Sequence, residues 1–332
     1  MFGIAFLIGP VVAGVLLIYD WRYLFYVNLP IAAGIILAGW RRLPAVRSEA
    51  PCPIDWGGII SVGLLLGCLT ISISEIDPAA FVTSSASPLV WGFLLAAVVF
   101  LVIFVRIEHR ATDPVLHLTL FSSRQARIAA TLAWGSSVGE ASLVYVPTLL
   151  VLAFGVSTSL SSFMLLPTIL MMSVGSPLAG RLVDRKGSKF VVTLGGVIAT
   201  AGMAILGTLS TNLVWFYVAS VIMGIGLGFL LGAPVRYIML NEAPPAERAV
   251  AQGSLSIFSS MGNLVSGALV GTIIYSTGGG VAGNALAFLV IAGVMAFLFA
   301  ISFLLKGRVQ ELEDGQKTAG EVGGSPPKSC PT

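Results

Sequence analysis

Charge is what this chain has least of. Asp, Glu, Lys and Arg make up only 10% of its 332 residues, against about 25% in soluble domains. Hydrophobic residues make up 56%, and the mean hydropathy is +0.96. A water-soluble globular domain is excluded. Cysteine is scarce too. Cys52, Cys68 and Cys330 fall in a loop, an apolar run and the terminal segment, a spacing that offers neither a disulfide framework nor a metal cluster. The two histidines, His109 and His117, share one polar connection. No H-E-x-x-H, no G-x-S-x-G and no phosphate-cradling glycine loop occurs, so the residues of a zinc hydrolase, a nucleophile elbow or a nucleotide-driven pump are missing. The chain reads as no enzyme and no nucleic-acid binder, with no call for a cofactor or metal. Its net charge of +3 says little, because in a membrane protein the placement of the cations matters more.

What the sequence has in quantity is long apolar runs. About 20 apolar residues cross the hydrocarbon core as a helix. Ten such runs are predicted, at 2–19, 23–40, 56–75, 89–106, 126–151, 160–180, 190–209, 213–236, 250–276 and 284–305, giving an all-α polytopic membrane protein. If the first runs from inside to outside, Arg22 alone of the 18 Lys and Arg residues lies outside. Insertion imposes this kind of asymmetry, and it puts both termini in the cytoplasm. Met1 opens directly into an apolar run without a basic leader, which reads as a cut into an existing span rather than a signal peptide. Residues 309–332, rich in Gly, Pro and charge, are expected to form a disordered cytoplasmic tail.

Between the runs 160–180 and 190–209 lies the pattern G-x-P-x-x-G-R-x-x-D-R-x-G-x-K, made of Gly175, Pro177, Gly180, Arg181, Asp184, Arg185, Gly187 and Lys189. Its cations mark a cytoplasmic loop. Gly175 and Gly180 would let backbones approach, Pro177 would set the exit of the preceding helix, and Asp184 would cap or ion-pair within the loop. The pattern resembles the cytoplasmic loop signature of the major facilitator superfamily, where it latches neighbouring helices in one conformational state.

A second resemblance lies in the first run. Gly9, Pro10 and Gly14, with Ala13 between, suit a bent and closely packed helix. They are similar to the G-x-x-x-G-P-x-x-G-G signature of facilitator-family antiporters, with Ala5 and Ala13 replacing two of its glycines. The following Asp20-Trp21-Arg22, Phe25, Asn28 and Pro30 look like the fourteen-helix drug:proton antiporter branch, where this run joins the fifth and sixth helices. The resemblance implies a major facilitator type bundle of about ten helices, lacking the first four of fourteen. Residues 1–50 would be the last two helices of the N-terminal half, 51–110 two inserted linker helices, 111–308 the C-terminal six-helix half and 309–332 the tail. It also implies proton-coupled efflux of drugs or other amphipathic or cationic compounds by alternating access, with a small-molecule substrate, protons and the lipid bilayer as partners. The expected location is the cell membrane. Export of a specific metabolite or siderophore, or a non-transporting truncated remnant, are the alternatives.

Glu140 is the candidate for chemistry, because it lies near the middle of an apolar run, among Gly135, Ser136, Ser137, Gly139 and Ser142. A carboxylate at that depth costs several kcal/mol unless it is protonated, paired or hydrated. It would carry the proton and balance a cationic substrate, or else serve as a hydrogen-bonded packing residue tied to the serines. Asn263, among Gly262, Gly267 and Gly271, is a weaker substrate candidate and equally suits interhelical glue. Pro147 and Pro167 predict helix breaks, and Glu75 is expected in the headgroup region.

Overall fold

The computed structural model describes residues 20, 22–42, 55–76, 87–109, 118–244 and 247–308, with isolated positions at 12, 16 and 310. All regular structure among these residues is helical. A single turn, Tyr23–Tyr26, leads into α1, Asn28–Arg42. Next come α2, Trp56–Ser74, α3, Pro88–Glu108, and α4, Arg124–Ser142. Then follow α5, Val146–Phe154, α6, Thr158–Met164, α7, Leu166–Lys186, and α8, Ser188–Leu209. The last are α9, Leu213–Leu231, α10, Ala233–Glu242, α11, Arg248–Ser276, and α12, Gly280–Ser302.

Helix starts are set by short polar side chains. Asp55 accepts from the Gly58 N–H at 2.8 Å, Ser123 from Gln125 at 3.2 Å and Asn212 from Val214 at 2.9 Å, each satisfying an otherwise orphaned donor. Ser87 caps α3, with Pro88 at the position that needs no N–H.

Eight helical stretches among the described residues are long and apolar enough to cross a membrane, from Trp56–Ile73 through Gly280–Ser302. They match the eight predicted runs from 56 onward. The run 23–40 differs, since its apolar helix, Asn28–Trp40, is shorter than a crossing. The turn through Val27 separates Tyr23–Tyr26 from α1, and Pro30 sits in the first turn of α1, where its missing N–H costs nothing. The run 2–19, and Gly9, Pro10 and Gly14 with it, lies outside the described residues. So does the tail from 311 onward.

Three of the crossings are broken. Arg124–Phe154 passes through a 3-10 turn at Leu143–Tyr145 just before Pro147, and Leu160–Lys186 is interrupted at Leu165 just before Pro167. The third break, at Gly232 between α9 and α10, was not expected from the sequence, although Pro234 in the first turn of α10 marks it. Another expectation is corrected at the basic segment. It is not a loop, because α7 continues to Lys186 and α8 begins at Ser188, leaving Gly187 as the turn. Pro177 therefore lies inside α7 rather than at its exit. Arg185 and Lys186 in the last turn favour this extension, since cations complement the partial negative charge of a helix C-terminus.

Gly187 has φ 85° and ψ 163°, a conformation that side chains resist. Gly187→Ala is expected to cost about 1–3 kcal/mol, measured as a fall in melting temperature of the detergent-solubilised protein.

Packing centres on α9, which lies between α7 and α8, while α8 also packs along α12 and α4 packs along α11. Three glycines on α9 make this possible. A Cβ at Gly228 would lie 2.7 Å from the Met172 carbonyl oxygen of α7, and one at Gly224 would overlap the Thr168 carbonyl of the same helix. On the other side of α9, a Cβ at Gly226 would overlap the backbone nitrogen of Ala199 in α8. In a bilayer, where lipid tails are as apolar as leucine, such close backbone approach supplies the dispersion contact that holds helices together. Phe216, Met223, Leu227 and Leu230 of α9 are fully buried, as are Phe288 and Ile291 of α12. By contrast, α2 and α3 pair with each other and touch the remainder chiefly through α11. Their faces are left lined with exposed apolar side chains such as Ile60 and Leu95.

Candidate functional site

Glu140 lies in the last turn of α4, immediately before the 3-10 break at Leu143–Tyr145. The helix is held on two sides there. Toward α9 and α12, a Cβ at the neighbouring Gly139 would lie 2.8 Å from Met295 Cε and 3.1 Å from Leu227, so a larger residue would require these side chains to shift. Toward α11, Gly262 packs onto the carbonyl of Trp134 and the side chain of Ser137, and the Ser266 hydroxyl donates to the Val138 carbonyl at 2.8 Å. Just beyond the break, the Tyr145 hydroxyl donates to the Gly267 carbonyl at 3.0 Å.

The serines around Glu140 do not hold it. Ser142 donates to the Gly139 carbonyl at 2.7 Å, and Ser266 is occupied with Val138. Glu140 itself is half-buried, and among the described residues its side chain has no hydrogen-bond or ion-pair partner. One turn earlier on the same face, Ser136 is buried with its hydroxyl oxygen unsatisfied. Two adjacent polar groups without protein partners, at mid-crossing, form a site able to accept a proton or a polar ligand atom. Their spacing, four residues on one helix, places Ser136 and Glu140 on the same face.

Asn263 is not joined to Glu140 by a hydrogen bond. It is exposed on α11 beside Gly253, Ser256 and Ser260, whereas the α4-facing side of α11 carries Gly262 and Ser266. The hydroxyls of that exposed stripe bond within their own helix, Ser256 to the Gln252 carbonyl and Ser260 to the Ser256 carbonyl. Ser266→Ala is expected to cost about 0.6 kcal/mol, the usual worth of an interhelical hydrogen bond in a bilayer, read from a denaturation curve in mixed micelles.

The basic signature is split by its geometry. Gly175 of α7 makes a close approach, its Cβ position lying 3.0 Å from the Ile225 carbonyl and 3.4 Å from Gly228, whereas Gly180 has only Ala233 at 3.9 Å and does not need to be small. Arg181, Asp184 and Arg185 are exposed, and the Asp184 side chain neither caps nor ion-pairs among the described residues. Lys186 lies over the Phe190 ring at 4.5 Å, and Lys189 reaches the Phe303 carbonyl.

Crossings kinked at prolines, glycine-mediated helix contacts and a partnerless carboxylate at mid-depth define a polytopic helical membrane bundle of the kind transporters use. The family model described as Major Facilitator Superfamily matches residues 1–267 and 136–329, and the chain belongs to that family. It is 28% identical over 268 residues to the "Uncharacterized MFS-type transporter YfiU" of Bacillus subtilis (strain 168), covering 79% of this chain and 52% of that protein. To the "Multidrug transporter protein MdtP" of the same organism it is 26% identical over 284 residues, covering 84% and 52%. To the "Tetracenomycin C resistance and export protein" of Streptomyces glaucescens it is 28% identical over 278 residues, covering 79% and 49%. The chain thus spans about half the length of the curated relatives it matches. Its fold is similar to that of the nucleoside transporter NupG, with a TM-score of 0.52 and 15% identity, covering 92% of this chain and 82% of that one.

Proposed function

We propose that this chain supplies the substrate- and proton-handling helices of a secondary active exporter that exchanges protons for amphipathic or cationic compounds by alternating access. The observation that carries the reading is Glu140, half-buried at mid-crossing with no partner among the described residues. A carboxylate so placed is stable when it holds a proton or faces a cation, and exchanging one for the other is antiport. The relatives named for multidrug transport and for tetracenomycin C export support the substrate class and direction. In this reading 1–50 belong to an N-terminal half, 51–110 are linker helices containing α2 and α3, and 111–308 form the C-terminal half. Both termini face the cytoplasm across the cell membrane, and Asn263 lines the path on α11. The test is uptake of a fluorescent lipophilic cation into everted vesicles under an imposed proton gradient. Accumulation that collapses with the gradient is expected, and no gradient-dependent signal for any amphipathic cation would sink the reading.

A further inference from the structure

The end of the bundle that carries the Gly187 turn holds a set of contacts that the transport reading does not use. The helix α12 ends at Ser302, so the carbonyls of the residues that follow are C-terminal orphans in need of donors. Those of Phe303 and Leu304 accept from side chains of other helices. On one side, Lys189 of α8 donates to the Phe303 carbonyl at 2.8 Å, and the hydroxyls of Thr193 and Ser302 are 2.8 Å apart. Further along, Arg308 donates to the Asp184 carbonyl of α7, also at 2.8 Å.

On the opposite side the same short segment is gripped by α4 and α10. The buried Gln125 of α4 donates to the Leu304 carbonyl at 3.4 Å and accepts from the Lys306 backbone N–H at 3.2 Å. The Lys306 ammonium pairs with Glu242, in the last turn of α10, at 2.9 Å. The second oxygen of Glu242 accepts from Ser123, the residue that caps α4. Ser123, Glu242, Lys306 and Gln125 thus close a ring around the start of α4, two of its links between side chains and two from the backbone N–H groups of Lys306 and Gln125. A satisfied polar network of this kind favours one arrangement over its neighbours.

We propose that Ser302–Arg308 is a strap that joins the α7–α8 turn to the inner ends of α4 and α10 as one cooperative unit. The helix bearing Glu140 then cannot shift against α7 and α8 unless the strap releases. This follows from contacts within the fold and is independent of what the protein transports.

The test is limited trypsin digestion of the full chain in detergent micelles, with mass spectrometry of cleavage after Lys306 relative to cleavage after Lys317. When opening is fast relative to cleavage, the rate reports the population of the open segment. Glu242→Gln is expected to raise relative cleavage after Lys306 by roughly two- to ten-fold, the range for one partly exposed charged contact. Lys189→Met, at the opposite anchor, should raise cleavage at that same bond by a similar factor. Thr193→Val serves as the milder variant there should Lys189→Met elute as aggregate on size exclusion. If Lys189→Met and Thr193→Val leave cleavage after Lys306 at the wild-type rate, the two sides are independent contacts and there is no strap. An unchanged rate in Glu242→Gln overturns the proposal equally.

Discussion

Glu140→Gln is expected to leave insertion and yield at wild-type levels while reducing proton-driven movement of a lipophilic cation to background. Glutamine has nearly the same shape and can still hydrogen-bond, so the close approaches of the neighbouring Gly139 to Met295 and Leu227 are kept. What it loses is the exchangeable proton and the negative charge. Since Ser142 and Ser266 already bond to backbone carbonyls, the carboxylate holds no helix contact that the amide would break. The control is Glu75→Gln, at the exposed end of α2, which should transport normally. Both variants are measured in everted vesicles with and without the gradient. If transport by Glu140→Gln remains gradient-dependent, Glu140 is not the proton carrier.

The largest expected effect on stability is at Gly226. Valine there would drive its Cβ into the backbone of Ala199, which cannot rotate away as a side chain can. Overpacking in a close-packed interior costs about 1–3 kcal/mol and sometimes more, and here the obstacle is main chain on a helix packed against both α9 and α12. A loss at the upper end of that range is a large fraction of the whole stability of many domains, about 5–15 kcal/mol. Gly226→Val is therefore expected to give clearly less folded material than wild type on size exclusion in mild detergent. Gly253→Val, on the exposed stripe of α11 with nothing within 4 Å of its Cβ position, should elute as wild type. Equal behaviour of the two variants would show that the α8–α9 contact is not what holds the bundle.

Much of the architecture was legible because a bilayer leaves few choices. Each crossing must satisfy its own backbone hydrogen bonds, so an apolar run of sufficient length is already a helix. The runs from 56 onward could be located from composition alone, and the breaks near Pro147 and Pro167 from the missing N–H of proline. Glu140 stood out for the same reason, as a charge where charge is costly. The break at Gly232 was less visible. Glycine permits a break without compelling one, and the interruption falls where Pro234, in the first turn of α10, lacks the N–H that would continue α9.

The basic segment shows where one-dimensional reading stops. Charge density marks it as lying at a membrane surface, and charge density is the same for a loop as for the last turns of a helix. The tertiary structure decided for the helix, with Pro177 inside α7 and the reversal confined to Gly187, whose backbone angles only glycine adopts readily. Which glycines matter was likewise undetermined in sequence, since Gly175 meets backbone and Gly180 meets only the Ala233 side chain at ordinary contact distance. The strap was invisible for a related reason. Gln125, Glu242 and Lys306 are far apart in the chain and ordinary in type, and they meet only because α4, α10 and α12 end at one level of the bundle. Sequence alone determined what must be helical, what must lie in lipid and which carboxylate is out of place, because each follows from the local cost of exposing a group to hydrocarbon. Partners, close approaches and helix ends required the fold, because they depend on which distant backbones are brought within a few ångströms of one another.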